Sequence, residues 1–194
     1  MNYCYPNLFL IGGMRCGSTA LHLLLDQHDD INMSLSKEPC YFNAELKRQK
    51  LYSKYSKELE EDLNSYVKKG KYRTIDKYIS LFDNSRNYKY RGESSHYIYS
   101  PDTASIIKKE SSQSKIIISV RNPIDRMYSE YLYHSRIEKQ MTLDFDSYVN
   151  ENLMLFKLGI PTKLTKGFYN DSIIHWIKIF GEDNGKYIVP FNNG

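Results

Sequence analysis

The chain has 194 residues and a net charge of +4, from 27 Lys and Arg residues against 23 Asp and Glu residues. At about 100–200 residues per domain, this length predicts one domain or the larger part of one. A hydrophobic content of 41% and a charged content of 26% exclude a disordered or collagen-like chain. The small positive excess suits one bound anion, and it falls short of the clustered basic face that is typical of nucleic-acid-binding proteins.

The cysteine count and the apolar runs indicate where the protein works. Cys4, Cys16 and Cys40 cannot close a disulfide framework, which indicates a reducing compartment. No run approaches the ~18–20 apolar residues of a membrane span, and the N-terminus lacks the pattern of a secretory signal. We therefore expect a cytoplasmic protein. The five histidines share no metal-ligand spacing, so the sequence predicts no metal site.

Strand and helix signals alternate along the chain, which favours an α/β domain with a parallel β-sheet flanked by helices. Residues 44–90 are rich in Lys, Glu and Tyr, and we interpret them as a charged helical insertion within a single domain that spans 1–194. In chain order, the predicted elements are a strand at 7–11, a helix at 18–28, a strand at 114–120, a helix at 124–136, a helix at 169–180 and a strand at 186–191.

The turn after the first predicted strand is the most informative segment. Its sequence over 12–21, GGMRCGSTAL, places glycines before a helix that starts with two hydroxyl residues. Such a turn points backbone N–H groups and the positive end of the helix dipole at one spot, which suits a phosphate or sulfate. Arg15 adds a permanent charge. Ser18 stands where a Walker A loop has its lysine, which disfavours a metal-dependent NTPase. The alternative is a tight turn capped by Ser18.

A second segment follows the isoleucine-rich strand. Arg121 stands at the carboxyl end of that strand, where open α/β sheets bind their ligands. Ser129 lies about two helical turns further on, so both side chains could reach one anion. For Arg126, the alternative to a binding role is a surface salt bridge with Asp125 or Glu130.

Taken together, these segments resemble the sulfotransferase family that uses 3′-phosphoadenosine 5′-phosphosulfate (PAPS). The first motif of that family matches 13–21, with Arg15 at its basic position. Segments at 37–42, 92–97 and 167–180 are similar to those of the glycan-type members, except that His96 replaces a proline. The second motif, R-[DN]-P-x-[ED]-R-x-x-S, is matched by Arg121, Asn122, Pro123, Asp125, Arg126 and Ser129.

The resemblance implies a fold related to the P-loop nucleotide kinases and transfer of a sulfuryl group from PAPS to a hydroxyl or amine, with a saccharide as the expected acceptor. It implies that Arg121 and Ser129 hold the 3′-phosphate and that Arg15 stabilises charge on the leaving 5′-phosphate. No metal is implied. The 5′-phosphosulfate is assigned to Arg15, Cys16, Gly17, Ser18, Thr19 and Ala20.

Resemblance to the glycan-type members assigns the catalytic base to Glu38. A carboxylate with an ordinary pKa of about 4.3 is a weak base, so we expect burial against Tyr41 and Phe42 to raise the pKa of Glu38. The alternative is that Glu38 only pairs with Lys37 or with a neighbouring helix, and His96 and Glu93 are the competing bases.

Two further residues are candidates that we assign to ordinary roles. His134 is expected to be a surface residue of a helix. Cys16 precedes a helix, where its pKa should be lowered, but we interpret it as a loop residue and not as a nucleophile.

The resemblance also leaves alternatives open. Related domains continue beyond the strand that 186–191 resembles, which implies that a C-terminal part is missing from 1–194. A catalytically weak or degenerate module that binds PAPS or adenosine 3′,5′-bisphosphate (PAP) is one alternative function, and a P-loop-type small-molecule kinase is another.

Overall fold

A five-stranded parallel sheet with the strand order β2-β3-β1-β4-β5 forms the centre of the fold. The computed structural model describes residues 5–43, 74–82, 87–137, 142–181 and 187–190. Each neighbouring pair of strands is parallel, so the predicted fold class is confirmed. The strands are β1 (Leu8–Gly12), β2 (Ile31–Met33), β3 (Tyr90–Ser95), β4 (Lys115–Val120) and β5 (Tyr187–Pro190).

The central position of β1 explains its sequence. All five of its residues are buried, because β3 and β4 flank it and both faces of the sheet are covered. Ile11 is paired with Ser95, and Gly12 is paired with Ser119. The three strands therefore end at one edge of the sheet, and the loops that follow them meet there.

Helices connect the strands in the described part of the chain. The helix after β1 was predicted over 18–28 and ends at Leu25, and the last helix ends before Gly181, whose φ of 75° suits glycine. The helix predicted over 124–136 ends at Leu132 and continues as a π-helical turn over Tyr133–Ile137. The α-helices are α1 (Ser18–Leu25), α2 (Ile75–Ile79), α3 (Thr103–Glu110), α4 (Pro123–Leu132), α5 (Phe145–Lys157) and α6 (Asn170–Phe180).

Aromatic side chains fill much of the core. Phe42 contacts the rings of Phe9, Tyr78 and Tyr97 edge-on, with ring centroids 5.7–6.0 Å apart. All four side chains are buried, and edge-to-face contacts of this kind add to the stabilisation from apolar burial. The segment around Phe42 is thereby packed against both β1 and the 3-10 turn Tyr97–Tyr99.

The predicted insertion at 44–90 lies mostly outside the described residues, because 44–73 is not among them. Its described end contains α2, and there Tyr78, Leu81 and Phe82 are buried in the core. Strand β3 starts at Tyr90, inside the predicted range. Within the described ranges, no helix combines the length and the apolar character that crossing a membrane requires.

Candidate active site

The loop between β1 and α1 lies at the carboxyl edge of the sheet and is fixed from behind. Gly13 N–H donates to the carbonyl of Ser119 at 3.1 Å, and Met14 N–H donates to the hydroxyl of Tyr99 at 2.9 Å. The hydroxyl of Ser119 donates to the carbonyl of Cys16. Strand β4 and the Tyr97–Tyr99 turn therefore hold the loop in one shape.

The same loop presents the N-terminus of α1. Gly17 adopts a left-handed φ of 75°, and its carbonyl accepts from Leu21 N–H at 3.1 Å. The N–H groups of residues 17–20 precede the first N–H that bonds within the helix, and they point out of its N-terminal end. An anion placed there can accept hydrogen bonds from them. Ser18 does not cap the helix, because Gly17 occupies the N-cap position and no side-chain cap bond is formed.

Arg15 brings the two predicted motifs together. Its Nε donates to the hydroxyl of Ser129 at 3.3 Å, and its guanidinium lies 4.7 Å from the ring centre of Tyr133. Arg121 donates to the carbonyl of Arg15 at 3.4 Å. Arg15, Arg121 and Ser129 thus surround one region, in which two guanidinium groups create a positive field.

A cavity of about 260 Å³ opens above this loop. Its floor is the segment 14–19. One wall consists of Lys37, Glu38 and His96, and the other consists of Glu130, Tyr133 and His134. The structure therefore brings the predicted base, its competitor His96 and the predicted anion-binding loop to one place.

Glu38 and His96, the two competing bases, are in direct contact. Oε1 of Glu38 lies 3.0 Å from Nε2 of His96 and 2.9 Å from Nζ of Lys37. The hydrogen bond from His96 lowers the pKa of Glu38 to about 2, against the effect of burial, and Lys37 lowers it further. The expectation of a raised pKa is therefore wrong, because the hydrogen bonds from His96 and Lys37 outweigh desolvation.

His96 faces a hydrogen-bond acceptor on each side. Its Nδ1 lies 3.1 Å from the carbonyl of Gly12, which can only accept. Its Nε2 faces the ionised carboxylate of Glu38. Glu93, the third candidate base, is fully buried and is not among the residues that line the cavity.

The opposite wall contains residues that sequence reasoning did not assign to the site. Arg126 pairs with Glu130, as one alternative held, but both side chains are buried and not on the surface. Burial alone would raise the pKa of Glu130, but Arg126 and Lys163 hold it below its usual value. Nζ of Lys163 lies 3.2 Å from Oε1 of Glu130. Glu130 is therefore an ionised carboxylate held between cations.

The expectation that His134 is a surface residue is wrong. Its Nε2 lies 3.8 Å from Oε1 of Glu130, and its side chain lines the cavity. The spacing of four residues from Glu130 to His134 is a signal that could have suggested this contact on a helix. The π-helical turn that starts at Tyr133 is the kind of local distortion that is common at functional sites.

Cys16 is a buried loop residue, as we interpreted it. Its Sγ lies 3.5 Å from the hydroxyl of Tyr169. Burial raises the pKa of the Cys16 thiol, so the expectation of a lowered value is wrong. In the described part of the chain, no group of three or more His, Cys, Asp or Glu side chains is arranged to hold a metal ion.

Comparison with known proteins gives consistent matches. The family model described as "Sulfotransferase domain" matches residues 5–188. Mouse carbohydrate sulfotransferase 15 is 24% identical to this chain in an alignment of 221 positions. The alignment covers 93% of this chain but only 39% of that protein. A sulfotransferase from Alicyclobacillus acidocaldarius has 27% identity and a TM-score of 0.72, covering 95% of this chain and 73% of that one. Mouse sulfotransferase SULT7A1, solved in complex with PAP, has the same fold, with 20% identity, a TM-score of 0.51 and coverage of 95% and 52%.

Proposed function

Because the chain belongs to the sulfotransferase family, we propose that it transfers the sulfuryl group of PAPS to a hydroxyl or amine of a saccharide. The observation that carries the proposal is the convergence of Arg15, Arg121 and Ser129 beside the N-terminus of α1. Guanidinium groups, a hydroxyl and backbone N–H groups are the donors that bind phosphate and sulfate groups. PAPS carries both phosphate and sulfate groups.

The charges around the cavity are compatible with a polyanion. Two carboxylates line it, and each contacts two basic side chains. Glu38 contacts His96 and Lys37, and Glu130 contacts Arg126 and Lys163. This pairing reduces the repulsion that a bound phosphate would otherwise meet.

Each part of PAPS is assigned to its own donors. The N–H groups of residues 16–20, with the hydroxyls of Ser18 and Thr19, would hold the 5′-phosphosulfate. Arg121 and Ser129 would hold the 3′-phosphate. PAPS supplies an activated sulfuryl group, so no metal or covalent intermediate is required of the protein. The main task of the chain is positioning and charge stabilisation.

Arg15 is the proposed electrostatic catalyst. Negative charge develops on the leaving 5′-phosphate as the bond to sulfur breaks, and a guanidinium near the loop stabilises it. A guanidinium is a poor proton donor, so this contribution is electrostatic only. Its contact with Ser129 at 3.3 Å fixes the direction of the side chain.

Glu38 is the proposed acceptor of the proton from the attacking hydroxyl or amine. Its side chain is 40% exposed at the cavity wall, so a substrate can reach it. With a pKa of about 2 it is a weak base, which suits proton transfer late in the reaction, when the attacking atom has become acidic. The carbohydrate sulfotransferase relatives support a saccharide as the acceptor.

The donor site is tested by ligand stabilisation. We expect PAP to stabilise the protein more than AMP, because AMP lacks the 3′-phosphate, and a 100-fold excess over Kd corresponds to about 2.7 kcal/mol. Equal stabilisation by PAP and AMP would remove the case for a 3′-phosphate site. Stronger stabilisation by ATP with Mg²⁺ would favour the kinase alternative.

Turnover is tested separately by measuring PAP release from PAPS in the presence of a panel of saccharides. Release that depends on one of these acceptors supports the transferase. Tight PAP binding with no release on any acceptor would favour the degenerate binding module.

A further inference from the structure

We infer that Glu93 is a positioning residue, which fixes the Glu38 segment (residues 37–42) through the hydroxyls of Ser95 and Tyr97. The inference rests on the proposed function of Glu38 and deepens it. Glu93 lies on β3, two residues before Ser95 and four before Tyr97.

Three hydroxyl groups donate to the buried carboxylate of Glu93. Tyr97 and Tyr78 donate to Oε1 at 2.8 and 2.9 Å, and Ser95 donates to Oε2 at 3.1 Å. The Glu93 side chain has no exposed surface. Burial raises its pKa to about 7, and the three donors oppose that effect. A carboxylate in this setting fixes the orientation of each hydroxyl, because each has a single proton to donate.

Two of these hydroxyls also accept hydrogen bonds from the backbone of the Glu38 segment. Cys40 N–H donates to Ser95 Oγ at 3.2 Å, and Phe42 N–H donates to the hydroxyl of Tyr97 at 3.3 Å. The hydroxyl protons of Ser95 and Tyr97 point at Glu93, so the lone pairs of the two hydroxyl oxygens are left to accept from these N–H groups. Glu93 therefore acts on the segment through two oriented hydroxyls.

The segment has a conformation that needs such support. Glu38 and Cys40 both have left-handed backbone angles, with φ of 59° and 52°. Residues other than glycine adopt this region at an energetic cost, and surrounding contacts must hold them there. A third anchor, from Glu38 N–H to the carbonyl of Ser94 at 2.9 Å, lies beside the other two.

Tyr78 offers a matched control. Its hydroxyl donates to the same carboxylate oxygen as that of Tyr97, at a similar distance. The N–H groups of Cys40 and Phe42 bond to Ser95 and Tyr97 instead. Tyr78→Phe and Tyr97→Phe thus each remove one donor to Glu93, but only Tyr97→Phe removes an acceptor for the segment.

The first test is residue-resolved amide hydrogen exchange on the full-length protein, which does not depend on activity. We expect Tyr97→Phe to speed exchange of the Phe42 amide and Ser95→Ala to speed exchange of the Cys40 amide, each roughly tenfold or more. Tyr78→Phe should leave both rates within about twofold. Unchanged rates in Tyr97→Phe and Ser95→Ala, or equal increases in Tyr78→Phe, would overturn the inference.

The second test is steady-state kinetics on the same variants. Tyr97→Phe and Ser95→Ala should lower kcat roughly 10–100-fold, the loss that misplacement of a catalytic group produces, with KM and PAP affinity near wild type. Tyr78→Phe should keep kcat within about twofold. The melting temperature of each variant separates loss of the fold from misplacement of the Glu38 segment. If exchange responds as expected while Glu38→Gln keeps full activity, the positioning role stands and the proposed role of Glu38 fails.

Discussion

Arg15 and Ser129 are in direct contact, although 114 positions separate them in the chain: Nε of the arginine donates to the serine hydroxyl at 3.3 Å. The contact joins the loop after β1 to α4, which follows β4. Since β1 and β4 are paired along their length, their carboxyl ends bring the two elements together. One parallel strand pair therefore builds most of the proposed donor site.

Arg121→Ala should weaken PAP binding by roughly 1.5–3 kcal/mol, or about one to two orders of magnitude in Kd, because a charged hydrogen-bond donor is lost. Calorimetric titration of the variant with PAP would measure this loss of affinity. AMP binding should change little. Arg136→Ala, at an exposed arginine beyond α4, serves as the control and should bind PAP like the wild type. Equal losses for PAP and AMP would contradict the assignment of Arg121 to the 3′-phosphate.

Glu38→Gln should lower kcat by about 10²–10⁴, since the amide preserves the shape of the side chain but cannot accept a proton. PAP affinity should stay near wild type, and single-turnover assays with saturating PAPS would check both quantities. Glu151→Gln, at an exposed position on α5, is the matched control. Near-normal turnover of Glu38→Gln would assign the proton to another group.

His96→Ala should change the pH dependence of kcat. The hydrogen bond from His96 is the largest cause of the low pKa of Glu38, about 2 in the folded protein. Without it, the pKa should rise toward the ordinary value. A base works only when deprotonated, so activity should begin to fall at a higher pH in the variant as the solution is acidified. A pH–rate profile from pH 4.5 to 8 would show this fall in His96→Ala, and identical profiles would contradict it.

Glu130→Ala should destabilise the fold by about 3–5 kcal/mol, because it leaves the buried guanidinium of Arg126 without its carboxylate. Urea unfolding measures the change. The double variant Arg126→Met, Glu130→Leu should be less destabilised than the single one, since no unpaired charge remains buried. A single variant as stable as the wild type would mean that the pair contributes little.

The sequence predicted the parts of the fold whose chemistry is local. Apolar runs predict the strands β1 and β4, and the glycines of 12–17 predict a turn before a helix. None of these predictions needs information about other segments. Strand β3 was not predicted as a strand, because its sequence YRGESS is polar. Its Glu93 and Ser94 can be buried because Glu93 accepts from Tyr78 and Tyr97 and Ser94 bonds to His22. Tyr78 and His22 lie 15 and 72 positions away in the chain, so a local pattern does not reveal these bonds.

The same distinction between local and long-range information applies to the candidate site. The residues of the two motifs could be assigned from a linear pattern, and the structure brings Arg15, Arg121 and Ser129 together. The low pKa of Glu38 could not, because it depends mainly on His96, which only the folded chain brings close. Composition and spacing do not contain that information.

The anchoring of the β1–α1 loop has a consequence for the thermodynamics of binding. Its backbone is fixed to Ser119 and Tyr99 through bonds that involve no ligand. An anion entering the site therefore meets N–H groups that are already aligned, and little conformational entropy is lost when it binds. Association should then be limited by diffusion and charge attraction rather than by loop rearrangement, so its rate should fall as ionic strength rises.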